Sequence, residues 1–103
     1  MKIVKIKMDK ERHMKFGMNA TIQLEKDLGK PISEIGSNMS LEEISTIMFH
    51  GLKWEDKKLT LEQVGDLFDE AVEHYGTFQE VVKLLMEAFS ATFGEKNASP
   101  SKK

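Results

Sequence analysis

No cysteine occurs in the 103 residues, which excludes a disulfide framework, a thiol nucleophile and a cysteine-ligated zinc site. An excess of one charge is missing too, since 15 Lys and Arg stand against 17 Asp and Glu. A dedicated nucleic-acid binder carries a clear basic excess, so that class is set aside. No apolar run approaches the ~20 residues of a membrane span. The opening Met1-Lys2-Ile3-Val4-Lys5 lacks the long apolar stretch of a signal peptide, so no membrane association and a cytoplasmic location are expected. The sequence also lacks a Gly-rich phosphate loop, a Gly-x-Ser-x-Gly turn, a His-Glu-x-x-His pair and an isolated pair of apolar-flanked carboxylates. Nothing positive therefore points to an enzyme, and no cofactor or metal is expected.

Apolar residues make up 40% of the chain, enough for one modest core. Charge is distributed unevenly. Residues 1–16 carry six basic and two acidic side chains, a net of +4, and residues 17–94 carry six basic and fourteen acidic, a net of −8. Residues 95–103 return to a net of +2. A basic head on an acidic body suits head-to-body contacts between copies. The alternative is a solvated strand edge defended by lysines.

Three parts follow along the chain: an N-terminal β-element over 1–16, a helical domain over 17–94 and a disordered polar tail over 95–103. In the first, Val4, Ile6 and Met8 alternate with Lys5 and Lys7, a strand of period two. Asp9-Lys10-Glu11-Arg12 turns the chain, and His13-Met14-Lys15-Phe16 returns as a second strand, without the Asn-Gly or Asp-Gly of a tight hairpin. Met18, Ile22 and Leu28 then recur at helical spacing, with Leu24 nearby, and Gly29 and Pro31 stop the helix. Ile32 to Ile35 allows no more than one turn before Gly36. Three capping boxes start the later helices: Ser40-Leu41-Glu42-Glu43, Thr60-Leu61-Glu62-Gln63 and Thr77-Phe78-Gln79-Glu80. Met39 with Ile44, and Leu59 with Val64, are placed as hydrophobic staples. Gly51, Gly76 and Gly94 read as the stops. The expected fold is mainly α: about four helices, near 18–28, 41–51, 61–75 and 78–93, with a short N-terminal β-hairpin or strand. The expected apolar faces are Leu41, Ile44, Ile47, Met48 and Leu52 on the second helix, and Leu61, Val64, Phe68, Ala71, Val72 and Tyr75 on the third.

The chemistry-bearing residues have plain structural readings. His50 and His74 fall near predicted helix C-termini, where imidazole suits the negative dipole end. His13 has no carboxylate at a fixed local spacing. Asp66, Glu70 and His74 could hold a metal, but with Glu62, Asp69 and Glu73 they read better as a solvated acidic face. Asp56-Lys57-Lys58 lacks the ligand pattern of a calcium loop. A helix-turn-helix starting at Leu59 would need the last helix to read DNA, and that helix offers only Lys83 among apolar residues. Trp54 closes the end of the core with its indole edge wet, or else anchors a partner.

The order of these signals carries a resemblance. Lys15-Phe16-Gly17 opens the run, and the first helix ends in Leu28-Gly29. Met39-Ser40-Leu41-Glu42-Glu43-Ile44 leads to His50-Gly51-Leu52, then comes Leu59-Thr60-Leu61-Glu62-Gln63-Val64-Gly65-Asp66-Leu67, and after Tyr75-Gly76 a last helix closes in Ala88-Phe89. Over about residues 12–94 this resembles the small tail assembly chaperones of long-tailed bacteriophages and of prophage and gene-transfer-agent clusters. The resemblance implies a non-enzymatic assembly factor that coats the helical tape measure protein, keeps it soluble and hands it over as tail tube subunits polymerise. It implies the tape measure protein as partner, the tail tube protein as a second candidate, and a homo-oligomer. It also implies a second, longer product made by ribosomal slippage, for which the lysine codons of Lys102-Lys103 would serve. The alternative is a small cytoplasmic helical interaction or regulatory protein unrelated to phage.

The last helix is the expected partner surface. Its apolar residues sweep an arc of roughly 220° at about 100° per residue, wider than the ~100° stripe of a surface helix. Either it runs through the centre of the core, or its own domain buries one flank and a partner the other. The resemblance favours the shared surface, with Val81, Leu84, Leu85, Met86, Ala88 and Ala91 as contacts.

Overall fold

The structure is a computed structural model that describes residues 3–36 and 38–91. It is a mainly α domain of four helices with an N-terminal β-hairpin. Strands β1 (Val4–Lys7) and β2 (Glu11–Met14) precede α1 (Met18–Leu28), a single 3-10 turn (Ile32–Glu34), α2 (Leu41–Leu52), α3 (Leu61–Tyr75) and α4 (Phe78–Ala91). The end of the expected fourth helix and the expected disordered tail lie outside the described residues.

The hairpin is antiparallel, with Val4 opposite Met14, Ile6 opposite Arg12, and Lys5 and Lys7 opposite His13 and Glu11. Its second strand begins two residues earlier than the spacing predicts, because the turn is closed by side chains rather than by a special backbone. Arg12 Nε and Nη2 donate to the Asp9 carboxylate at 2.8 and 3.1 Å, and the Met8 N–H donates to the Lys10 carbonyl at 3.0 Å. Val4, Ile6, Met8, Met14 and Phe16 point inward with Arg12, and Lys5 and Lys7 face solvent. The burial of Arg12 is compensated from both ends, since Nη1 also donates to Asp56 at 3.3 Å in the loop between α2 and α3. The Tyr75 hydroxyl accepts from the Lys7 N–H at 3.0 Å, covering that point of the β1 edge.

The helix starts follow the capping signals. Ser40 accepts from the Glu43 N–H, Thr77 from the Glu80 N–H, and Thr60 and Gln63 close a full reciprocal box. The staple residues Ile44, Leu59 and Val64 are buried and Met39 packs against the core. Gly29 and Gly76 end α1 and α3 in the left-handed region, at φ 71° and 91°.

Gly51 is not a stop, because α2 continues to Leu52. It is a gap. Its missing side chain admits the Phe16 ring, and the Lys15 N–H donates to the Gly51 carbonyl at 2.9 Å. Phe16 in turn meets Phe89 of α4 edge-on, with ring centroids 5.4 Å apart. This junction ties the hairpin, α2 and α4 together.

One stripe is rotated from its expected face, and two others lose their first residue to solvent. In α1, Thr21 and Leu24 are buried, whereas Met18 and Ile22 stand in solvent. The chain enters α1 directly after the buried Phe16, and that anchor fixes which side of the helix turns inward. The Thr21 hydroxyl donates to the Gly17 carbonyl at 2.9 Å, which satisfies it inside the domain. In α2 and α3 the first residues, Leu41 and Leu61, are exposed, while the rest of each expected face is buried or half-buried.

Candidate functional site

The six α4 positions divide by depth. Val81, Leu85 and Ala88 are buried core residues, and Leu84, Met86 and Ala91 are half-buried. The helix packs against α2, α3 and β1, so most of its wide apolar arc lies inside its own domain. At one edge of the arc the Met86 methyl lies against the turn at Gly36, 3.3 Å from where a Cβ would stand. At the other edge, Leu84 packs against the core and still keeps surface.

The apolar side chains most open to water sit elsewhere. Met18 is 72% exposed, Leu41 70%, Ile3 49%, Leu61 47%, Ile22 41% and Phe78 37%. Leu41 and Phe78 border a groove of about 490 Å³, lined also by Ile44 and Ser45 of α2 and by Gly65, Phe68 and Val72 of α3. Phe78 packs against Phe68 with ring centroids 5.3 Å apart and the planes tilted by 38°. Asp66 and Asp69 form the α3 rim of the groove, and Glu62, Glu70 and Glu73 continue the same exposed acidic face. This groove escapes a reading by stripes because it uses the flanks of two helices. Its only sequence signal is Gly65, a glycine in the interior of a helix.

A second cavity, of about 590 Å³, lies between α1 and the C-terminal half of α2, lined by Asn19, Gln23, Phe49, His50, Lys53 and Trp54 among others. Its aromatic rings are already covered by the domain's own cations. Lys15 Nζ stands 4.2 Å from the Trp54 ring centre and Lys53 Nζ 4.8 Å from that of Phe49. The Trp54 indole N–H donates to the His13 carbonyl at 3.0 Å, so its polar edge is bonded to the hairpin rather than wet.

All three histidines hold elements together. His50 pairs with Asp27 of α1 at 2.7 Å, and His74 donates to the Met8 carbonyl at 2.9 Å. His13 does meet carboxylates, from Glu55 at 2.7 Å and Glu11 at 3.4 Å, the first of which no local spacing could indicate. Asp56 is engaged by Arg12 and by the Lys58 N–H at 3.2 Å. Among the described residues, no three acidic or histidine side chains come together as a metal site.

Two carboxylates are shifted. The Arg12 guanidinium bonded to Asp9 holds its carboxyl below the ordinary value, and Lys30, 2.8 Å from Glu43, does the same there. Both are structural ion pairs rather than reactive groups, the first closing the hairpin turn and the second joining the segment after α1 to α2.

Compared with known proteins, the chain matches no family model, no curated protein and no solved structure. Among the described residues, no helix is long and apolar enough to cross a membrane.

Proposed function

We propose that this chain is a tail assembly chaperone of the long-tailed phage type, a binding protein that coats the helical tape measure protein and assists tail tube assembly in the cytoplasm of a bacterial host. The observation that carries the reading is apolar surface left over by a small helical core. Leu41 and Phe78 border an open groove, and Met18 and Ile22 form a separate exposed face on α1. Apolar side chains left largely outside their own core, gathered in patches, suit a protein whose work is to associate. The ordered series of capping boxes and glycines from Phe16-Gly17 to Ala88-Phe89 supports the same reading. Leu84 and Ala91, which keep surface along one edge of α4, are the proposed contact for the client helix.

Co-expression with the tape measure protein tests this. The expected gene order is a tail tube gene upstream and a very long tape measure gene downstream. The tape measure product should be soluble and co-purify only when this chain is present, and Leu84→Glu should abolish co-purification while the domain stays folded. A tape measure protein equally soluble without the chain refutes the function. An unfolded Leu84→Glu variant places Leu84 in the core and moves the client contact elsewhere.

A further inference from the structure

The two edges of the β-hairpin are finished differently. Along β2 the outward backbone groups are taken up by the rest of the domain. The His13 N–H donates to Glu55 at 3.0 Å, the His13 carbonyl accepts from the Trp54 indole at 3.0 Å, and the Lys15 N–H donates to the Gly51 carbonyl at 2.9 Å. Because both backbone groups of His13 point away from β1, its partner Lys5 stands in a non-hydrogen-bonded pair. The Lys5 N–H and carbonyl therefore point out of the sheet on the β1 side. Lys7, two residues on, faces the same way, and there the Tyr75 hydroxyl accepts from its N–H. Among the described residues nothing does this for Lys5, whose N–H and carbonyl both lack a partner. An unpaired N–H and carbonyl on a strand edge are a template for another strand.

The side chains along that edge select the kind of strand that fits. Ile3, Lys5 and Lys7 alternate with the buried Val4 and Ile6, so they share the solvent face. Ile3, one position before β1, is an exposed apolar residue. Neither lysine has an ion-pair partner among the described residues. On the other strand and beside it, Arg12 is engaged by Asp9 and Asp56, His13 by Glu55, and Lys15 lies over Trp54. A second copy does not suit the edge, since two β1 edges laid together would set lysine against lysine. Edge lysines guard against that pairing, and they do not guard against a strand of opposite charge. An acidic strand gains cross-strand pairs with Lys5 and Lys7 and an apolar contact with Ile3.

We propose that the β1 edge is a docking site for an extended acidic segment of another protein, which adds to the hairpin as a third strand. Its backbone bonds to the Lys5 N–H and carbonyl, its acidic side chains lie beside Lys5 and Lys7, and an apolar side chain covers Ile3. The Tyr75 hydroxyl on the Lys7 N–H marks where the added backbone pairing ends. The contact is separate from the α4 edge proposed for the client helix. It takes an extended chain rather than a helix, uses no α4 residue, and holds or fails whatever the client proves to be.

The test is titration of the purified full chain with a capped peptide whose core reads Glu-Val-Glu-Val-Val. Run antiparallel to β1, it sets Glu beside Lys7 and Lys5 and Val beside Ile3. Nuclear magnetic resonance would follow binding and amide hydrogen exchange together. The peptide should bind, and more weakly as salt rises. At a free peptide concentration about ten times its Kd, the Lys5 amide should exchange roughly tenfold more slowly. A peptide with Lys in place of Glu should not bind, and Lys5→Glu/Lys7→Glu should reverse that preference. Lys5→Ala and Lys5→Pro both lose the charge, but only proline also loses the N–H and blocks the edge. Lys5→Pro should therefore bind roughly tenfold more weakly than Lys5→Ala. Proline there removes no ladder bond, so both variants should keep the wild-type circular dichroism spectrum. The charge-reversed variant reads the same contact with the backbone left intact. A wild type that does not bind the acidic peptide overturns the proposal. Binding without protection of the Lys5 amide overturns it as well, since charge attraction alone needs no strand. So does an undiminished affinity in Lys5→Glu/Lys7→Glu, or equal affinity in Lys5→Ala and Lys5→Pro.

Discussion

Replacing Gly51 by Ala is expected to destabilise the domain, although alanine is the better helix former by about 1 kcal/mol. The new Cβ would stand 2.6 Å from the Phe16 Cζ and 3.0 Å and 3.3 Å from its two Cε atoms. A real Cβ does not approach that closely, so something must move. Phe16 is fully buried, and its ring is held edge-on against Phe89. The main chain is held as well, because the Lys15 N–H is bonded to the Gly51 carbonyl. Overpacking of this kind costs about 1–3 kcal/mol. With both routes of relief closed, the upper half of that range applies, and the net loss after the helix gain is about 1–2 kcal/mol. For a domain of this size each kcal/mol moves the midpoint of thermal unfolding by roughly 4–8 °C. Gly65→Ala is the internal control: the same helix gain with no collision should raise the midpoint. Thermal and urea unfolding followed by far-ultraviolet circular dichroism would measure both. High salt and low protein concentration should be used, so that association does not add to apparent stability. Phe16→Leu in the Gly51→Ala background should recover part of the loss, and the double-mutant cycle isolates that contact. A Gly51→Ala protein as stable as the wild type would refute the reasoning.

Three further outcomes are expected. Thr60→Ala removes one half of the closed capping box at α3 and should cost roughly 0.5–2 kcal/mol in urea unfolding. Leu85→Ala, at a fully buried position, should cost about 2–5 kcal/mol, and Leu84→Ala roughly half as much because part of Leu84 is already in water. Asp9 and Glu43 are each held below the ordinary carboxylate range by Arg12 and Lys30. Their contribution is therefore fully present above the unfolded values of about 4 and is lost as pH falls through the lower folded values. Acid titration of the unfolding midpoint should show this loss, with a shallower acid limb in Arg12→Met.

Much of this fold was legible in the residues because its signals are local. A capping serine or threonine needs a partner only three residues away, and Ser40, Thr60 and Thr77 all cap the helices they announce. The period of two in Val4-Lys5-Ile6-Lys7 set β1, and Gly29 and Gly76 marked real helix ends. Such features depend on backbone groups within about one helical turn, and no knowledge of the remaining chain is needed.

Burial is a different matter, because it depends on what lies opposite. Met18 and Ile22 have the spacing of a core stripe, yet Thr21 and Leu24 take the inside once Phe16 anchors the start of α1. Gly51 reads as a stop until Phe16, 35 residues earlier in the chain, is found in its place. The ends of the Arg12–Asp56 and His50–Asp27 pairs lie 44 and 23 residues apart, and no local spacing joins them. The groove is likewise a product of two helix flanks brought together. The sequence by itself determined the elements, since their hydrogen bonds close within a few residues. Only the tertiary structure decided which apolar side chains became core and which were left as surface, because that choice belongs to the neighbour that covers them.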